Sequence, residues 1–162
     1  MIFTTKAEYG VRLLIQLGMN ARPPADRPVA LKTIAEAENL PLAYLERIAA
    51  LLKKADLIHS TRGAHGGYLL AKDAEEITMD QVVLALEGAI APMDCFVEIP
   101  EGDTSSTPHR VACNHGTDGQ ACATKLLWTR VQLGVIKSLQ RTTLAELVAF
   151  ATLPTSEPIP HG

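Results

Sequence analysis

The chain has 162 residues, 47% of them hydrophobic and 4% aromatic, with 15 Lys and Arg against 18 Asp and Glu, a formal charge of −3. That length suits one ordinary domain with a real core, and the apolar fraction and small net charge exclude a disordered chain. No apolar run approaches the roughly 18–20 residues of a membrane span, and an odd three cysteines without a secretory signal predict a reduced, cytoplasmic setting rather than a disulfide framework.

The first periodic segment, Thr5 to Asn20, places Ala7, Val11, Leu14, Ile15 and Gly18 at helical spacing. Thr5 followed by Glu8 reads as a capping box that fixes its start. Residues 21–28 hold three prolines and no period, so a loop follows. A second helix fits Leu31 to Glu38, with Leu31, Ile34 and Ala35 on one face, and Asn39 suits the left-handed backbone that ends it. Pro41 then sits at the first turn of a third helix running to about Ala55, with Leu45, Ile48, Ala49, Leu51 and Leu52 available to the core. Two short helices across so tight a turn form a helix-turn-helix pattern.

Beyond them, the β-prone runs Leu57 to Thr61 and Tyr68 to Ala71 flank Arg62-Gly63-Ala64-His65-Gly66-Gly67 and predict a hairpin. A fourth helix, Thr78 to Leu86, has Met79, Val82, Val83 and Leu86 at packing spacing. From Ala89 to about Ala121 the period vanishes among prolines and glycines, which predicts a long irregular stretch bearing Cys95 and Cys113, with Cys122 at its end. A long helix follows from about Ala123 to Leu139. It is apolar on more than one stripe (Leu126, Leu127, Val131, Leu133, Val135, Ile136), which suits packing on its own domain and on a second protomer. Thr143 starts a last short helix with Leu144, Leu147 and Val148, and the tail from Pro154 is expected to fray.

The total charge hides a division. Residues 1–73 carry a net +3 and residues 74–162 a net −6, and all three cysteines lie in the acidic half. In a helix-turn-helix the second helix enters the major groove with its N-terminal side chains at base edges. Those are Ala43, Tyr44, Glu46 and Arg47, with Lys53 and Lys54 at the far end. Glu46 suits a cytosine amino group, Tyr44 and Arg47 a phosphate or base, and Arg62 at the hairpin tip a minor-groove or phosphate contact. The plainer reading of the same residues is a solvated helix face and a tight turn; the wing and the local positive charge favour DNA.

Cys95, Cys113 and Cys122 are spaced by 17 and 8 intervening residues, without the Cys-x-x-Cys knuckle of a zinc ribbon. Thiolates are soft ligands suited to iron–sulfur clusters, zinc or cuprous ion, and three of them leave a position for a fourth donor. Candidates are Glu8, His115 and His109, against the plain alternatives of a capping residue and ordinary loop histidines. The cysteines themselves could be three small buried residues, and Cys113 beside His115 lacks the accompanying features of an enzymatic nucleophile, so no enzyme is read here.

Tyr44-Leu45-Glu46, Leu57-Ile58, Arg62-Gly63-x-x-Gly66-Gly67-Tyr68-Leu69-Leu70 and Ile77-Thr78, followed by three cysteines and a long helix, resemble the winged-helix iron–sulfur transcriptional regulators of the IscR, NsrR and RirA type over about residues 1–150. The resemblance implies homodimers whose long helices cross near the two-fold axis, palindromic promoter DNA as partner, and a [2Fe-2S] or [4Fe-4S] cluster near the dimer interface. It puts the groove-reading residues on Tyr44 and Glu46, the wing arginine on Arg62, and the cluster ligands on Cys95, Cys113 and Cys122. Pro41 and Ala43 replace family serines, His65 stands where proline is common, and Glu98 to Arg110 is an apparent insertion between the first two cysteines. No histidine follows Cys122 closely, and Thr33 and its neighbours supply none. Glu8 occupies the place from which NsrR-like members lend a carboxylate to the other subunit.

The expected molecule is therefore mainly α with a small β-hairpin wing, a winged helix-turn-helix plus a long dimerisation helix. Residues 1–88 form the DNA-binding domain, 89–122 a cysteine-containing cluster-binding loop, 123–153 the dimerisation helix and short C-terminal helix, and 154–162 a flexible tail. The expected function is a homodimeric regulator sensing iron–sulfur, redox or nitric-oxide status through its cluster. A metal-free thiol-redox regulator and a winged-helix protein-interaction module are the alternatives, and no membrane partner is expected.

Overall fold

The computed structural model describes residues 3–21, 27–63, 65–98, 111–113 and 122–153. Its elements run α1 (Thr5–Asn20), α2 (Leu31–Glu38), α3 (Leu42–Lys54), β1 (Ile58–Thr61), β2 (Gly67–Leu70), α4 (Met79–Glu87), β3 (Phe96–Glu98), β4 (Val111–Cys113), α5 (Lys125–Arg141) and α6 (Leu144–Ala151). Helix, helix, helix, hairpin is the winged helix-turn-helix expected, and among the described residues no helix is long and apolar enough to cross a membrane.

The core forms around α1, which buries Ala7, Gly10, Leu13, Leu14, Leu17 and Gly18 along one stripe. Leu45, Ile48 and Leu52 of α3 and Val82 and Leu86 of α4 join it, as do Leu144 and Val148 of α6. Each such side chain contributes about 1.5–3 kcal/mol by leaving water, so the inward stripe rather than helix propensity holds α1 in place. Gly10 faces Leu86 and Gly18 faces Val148, so two positions without a side chain let α4 and α6 approach closely.

The turn between α2 and α3 carries Asn39 at φ 52°, and the Leu40 amide donates back to the Ala35 carbonyl at 2.8 Å. Asn tolerates this conformation because its short polar side chain offsets the steric cost locally. Pro41 is the N-cap of α3, one residue before the first helical turn where its sequence position was expected to place it.

In the wing, β1 pairs antiparallel with β2, Ile58 opposite Leu70 and Thr61 opposite Gly67. Residue Val29, just beyond the proline-rich connection, adds a single rung on the other edge of β2: its amide and carbonyl exchange 2.9 Å bonds with those of Tyr68. A Cβ on Gly67 would stand 2.6 Å from the Val29 carbonyl carbon and oxygen. Both backbones are fixed by this pairing, so Gly67→Ala is expected to destabilise the protein by about 1–3 kcal/mol. Denaturant unfolding checks the magnitude, and faster hydrogen exchange at the Val29 amide locates it.

Two expectations are corrected. The stretch from Ala89 is not wholly irregular, since Phe96, Val97 and Glu98 pair antiparallel with Cys113, Ala112 and Val111. Three-residue strands are too short for alternation to show in sequence. The capping box read at Thr5 and Glu8 does not form. Thr4 is the N-cap of α1, its hydroxyl accepting from the Lys6 amide at 3.2 Å, and Glu8 instead pairs with Arg12. Consecutive threonines make either register plausible from sequence, and packing against α4 selects Thr4. A capping box does form at α6, between Thr143 and Glu146.

Helix α5 buries only Gln132 and Ile136. Ile136 joins a small second core with Val83 and Ile90, and Gln132 donates to the Ile90 carbonyl at 2.8 Å. The tail from 154 and both candidate histidines, His109 and His115, lie outside the described residues.

Candidate nucleic-acid interface and cysteine segment

Helix α3 divides cleanly into two faces. Leu45, Ile48, Ala49 and Leu52 are buried, which leaves Ala43, Glu46, Arg47 and Lys54 exposed at helical spacing on the other side. A helix docked in a groove presents such a stripe of exposed side chains on a rigid, core-anchored rod. Tyr44 differs from the rest. It is half-buried, and its ring meets Tyr9 of α1 edge-on, centroids 5.7 Å apart at 83°. That contact fixes the Tyr44 ring near the N-terminus of α3 and ties it to α1.

Lys53 donates to the Ser60 hydroxyl at 2.7 Å, which joins the end of α3 to β1. Lys53 and Lys54 also suit the negative end of the helix dipole, a structural role alongside any phosphate contact. Arg62 is exposed just past β1. Gly63 adopts φ 119°, and a Cβ on Gly66 would stand 2.5 Å from the Thr61 carbonyl oxygen, so the tip is a tight turn that only glycine permits.

Glu8 is exposed on the first turn of α1. Arg12 Nε donates to Glu8 Oε1 at 2.8 Å, and Arg12 Nη1 lies 3.5 Å from Glu38 Oε2 at the end of α2. Gln16 donates to the other Glu38 oxygen at 2.5 Å. The side-chain hydrogen bond to Glu8 is the main cause holding Arg12 still more firmly in its charged form. Solvent screens these contacts, so they orient α1 against α2 more than they stabilise the fold.

Cys95 directly precedes Phe96, whose partner across the β3–β4 ladder is Cys113, so the backbones of two distant cysteines are brought side by side. Cys122 lies three residues before α5, its Sγ 3.3 Å from the Thr124 hydroxyl and its carbonyl accepting from the Lys125 amide at 3.0 Å. Strand β4 also packs against α5. Cys95 and Cys122 are both half-buried. Among the described residues no three His, Cys, Asp or Glu side chains gather as a metal site. The donor types nonetheless suit an iron–sulfur cluster: one cysteine in the β3–β4 ladder, one directly before it and one at the foot of α5, with the Glu8 carboxylate exposed elsewhere on the chain.

Sequence reasoning missed Glu87. The last residue of α4 reaches the N-terminus of α1, where Oε1 accepts from the Thr4 amide at 3.3 Å, the Ala7 amide at 3.1 Å and the Thr4 hydroxyl. Burial pushes the Glu87 carboxyl up, but the Thr4 hydroxyl, the Lys6 ammonium and the two amides outweigh it and hold it below the ordinary value of 4.5. A carboxyl lowered by folding stabilises fully above its unfolded value and loses that contribution as pH falls through its folded value. Exchange protection of the Ala7 amide, relative to core amides of α3, is therefore expected to hold at neutral pH and to fall on acidification below 4.5. In Glu87→Gln it is expected to be weaker and free of this step.

The family model for Rrf2, described as an iron-dependent transcriptional regulator, matches residues 3–150. Protein rrf2 of Nitratidesulfovibrio vulgaris is 35% identical over 153 residues, 94% of this chain and 91% of that one. The structure of CymR, the global cysteine regulator of Bacillus subtilis, aligns with TM-score 0.70 and 31% identity over 93% of this chain and 98% of that one. The structure of T. potens IscR aligns with TM-score 0.69 and 28% identity over 96% of this chain and 94% of that one.

Proposed function

This chain belongs to the Rrf2 family of transcriptional regulators, and from that premise we propose that it acts as a homodimer whose hold on promoter DNA is set by an iron–sulfur cluster bound through Cys95, Cys113 and Cys122. The observation that carries the reading is the β3–β4 ladder, which gives two cysteines far apart in sequence a reason to be neighbours. Glu8 of the other subunit is the fourth ligand in this reading, with His115 and His109 the alternatives. When bound, the cluster, [2Fe-2S] or [4Fe-4S], supplies sensitivity to iron supply, redox state or nitric oxide.

The chain's own residues do the rest. Tyr44, Glu46 and Arg47 face the major groove, Arg62 the minor groove or a phosphate, and Lys53 and Lys54 the backbone. Cys122 sits at the foot of α5, α5 packs on α4, and α4 packs on α1 and α3. A shift of the cysteine segment therefore reaches the recognition helix through packed helices, and in a two-fold pair it re-spaces two such helices. The DNA is expected to be a palindrome with half-sites about one helical turn apart. The setting is the cytoplasm.

Anaerobic purification is the test. The reading expects a coloured protein with iron and acid-labile sulfide; a colourless protein that fails reconstitution overturns it. Arg62→Ala is expected to weaken binding to a duplex selected from a random pool by about 1–3 kcal/mol and to lower the salt dependence by roughly one phosphate. Salt-titrated anisotropy measures both.

The same ladder favours a second reading, a metal-free thiol switch. Two thiols at Cys95 and Cys113 oxidised by one hydrogen peroxide form one disulfide and two waters, with no chromophore. Peroxide-sensitive duplex binding by an iron-free protein would select it.

A further inference from the structure

We infer that Glu87 is a positioning residue for the carboxylate that Glu8 lends to the partner's cysteines, acting through the first turn of α1. The inference rests on the cluster reading above. The first amides of a helix lack partners within it, and a capping box normally supplies one from a side chain three residues past the N-cap. Here that position is Ala7, which has no acceptor. Glu87 replaces it from 80 residues away: one oxygen serves the Thr4 and Ala7 amides and the Thr4 hydroxyl, while the other lies 3.6 Å from the Lys6 ammonium. The Glu87 side chain is only 12% exposed, whereas that of Glu8 is 58% exposed. Residue 8 directly follows an amide that the Thr4 carbonyl and Glu87 share, and its own amide donates to the Thr4 carbonyl at 3.3 Å. The turn that bears it is therefore braced by α4, while its carboxylate pairs with Arg12 and stays exposed.

The far end of the same connection is also anchored. Beyond Gly88, at φ 81°, the Ile90 carbonyl is held by the buried Gln132 amide, and five residues later comes Cys95. One short stretch, residues 87–95, thus joins the brace on the turn that bears Glu8 to the segment that carries Cys95. In a two-fold pair, each subunit's stretch sets the cysteine it uses and the carboxylate it gives away.

The test is a double-mutant cycle on the full, anaerobically reconstituted chain, read as cluster lifetime under a ferrous chelator and as amide exchange. Glu87→Ala is expected to speed exchange at the Ala7 amide by about tenfold, the scale of a lost cap. Exchange at Leu45 and Ile48 is expected to stay unchanged. It is also expected to shorten the cluster lifetime by about 10–100-fold, the usual effect of losing support behind a metal ligand. Glu87→Gln keeps the side-chain shape and is expected to fall between wild type and Glu87→Ala, which keeps the cycle usable if the alanine variant folds poorly. Glu8→Gln with Glu87→Ala is expected to match Glu8→Gln alone, because one residue acts through the other. Additive losses, or an unchanged lifetime with faster Ala7 exchange, overturn the inference and leave Glu87 a purely structural cap. A wild-type chain that takes up no iron overturns the cluster reading itself, and is seen before any variant is made.

Discussion

Replacing Leu126 and Leu127 together by Asp is expected to yield a folded monomer that binds a selected palindromic duplex at least about a hundredfold more weakly. The reason lies in how little of α5 the chain itself covers. Helix α5 has 17 residues and buries two, while Leu126 is 60% and Leu127 55% exposed. Trp128, Val131, Leu133 and Val135 are half-buried besides. Single exposed leucines are ordinary on a protein surface, but adjacent ones continuing an apolar helix are the mark of an interface. Burial of one leucine contributes about 1.5–3 kcal/mol, and a two-fold pair buries four, so their replacement by charge removes more than a typical dimer can lose. The main core contains neither residue, which is why the fold is expected to survive. Without its partner, a protomer engages a single half-site and forfeits the effective concentration that a linked second module provides, about 10²–10⁴ in affinity. Sedimentation at micromolar protein, circular dichroism and duplex titration check the three parts. A variant that stays dimeric would move the interface away from α5.

Features whose cause is local were legible in the sequence. Helices α1 and α2 have the ends their apolar periods predict, because the stripe that signals a helix is also the stripe that is buried. Asn39 was readable as a left-handed cap, and the exposed face of α3 followed as the complement of its buried face. Features whose cause is distant were not. The second acceptor for the Ala7 amide, Glu87, stands 80 residues away, and a single rung at Val29 leaves no pattern. Gln132 reads as a polar surface residue until Ile90 is folded over it. The same division runs through the site. The residue types at Glu46, Arg47 and Arg62 suggested DNA, but nothing local announces that Tyr44 leans on Tyr9 or that Cys113 pairs across to Phe96. Glu8 was noticed for its place in the first turn and given the wrong local role, because Thr4 rather than Thr5 is the N-cap and the carboxylate that supports the turn is Glu87 of α4.

Cys113→Ser is expected to abolish iron uptake while leaving the folded helix-turn-helix intact. Serine offers a hydroxyl in place of a soft thiolate and stays protonated at neutral pH, so on the cluster reading the site loses one of its three thiolate ligands. Among the described residues the main core, built chiefly from α1 to α4 and α6, includes no cysteine, so thermal unfolding is expected to change little. The variant is then a chain held in its cluster-free state, and its duplex affinity can be set against that of reconstituted wild type. Coupling between two sites of a switch is usually about 1–3 kcal/mol, so the two affinities are expected to differ by about 5–150-fold. A ratio of one, with iron bound to wild type, would leave the cluster present but disconnected from DNA. A wild type without iron whose peroxide response disappears in Cys113→Ser would assign the ladder to thiol chemistry instead. The same variant therefore separates the two uses of the ladder, because a cluster and a disulfide both need Cys113 but only one of them needs iron.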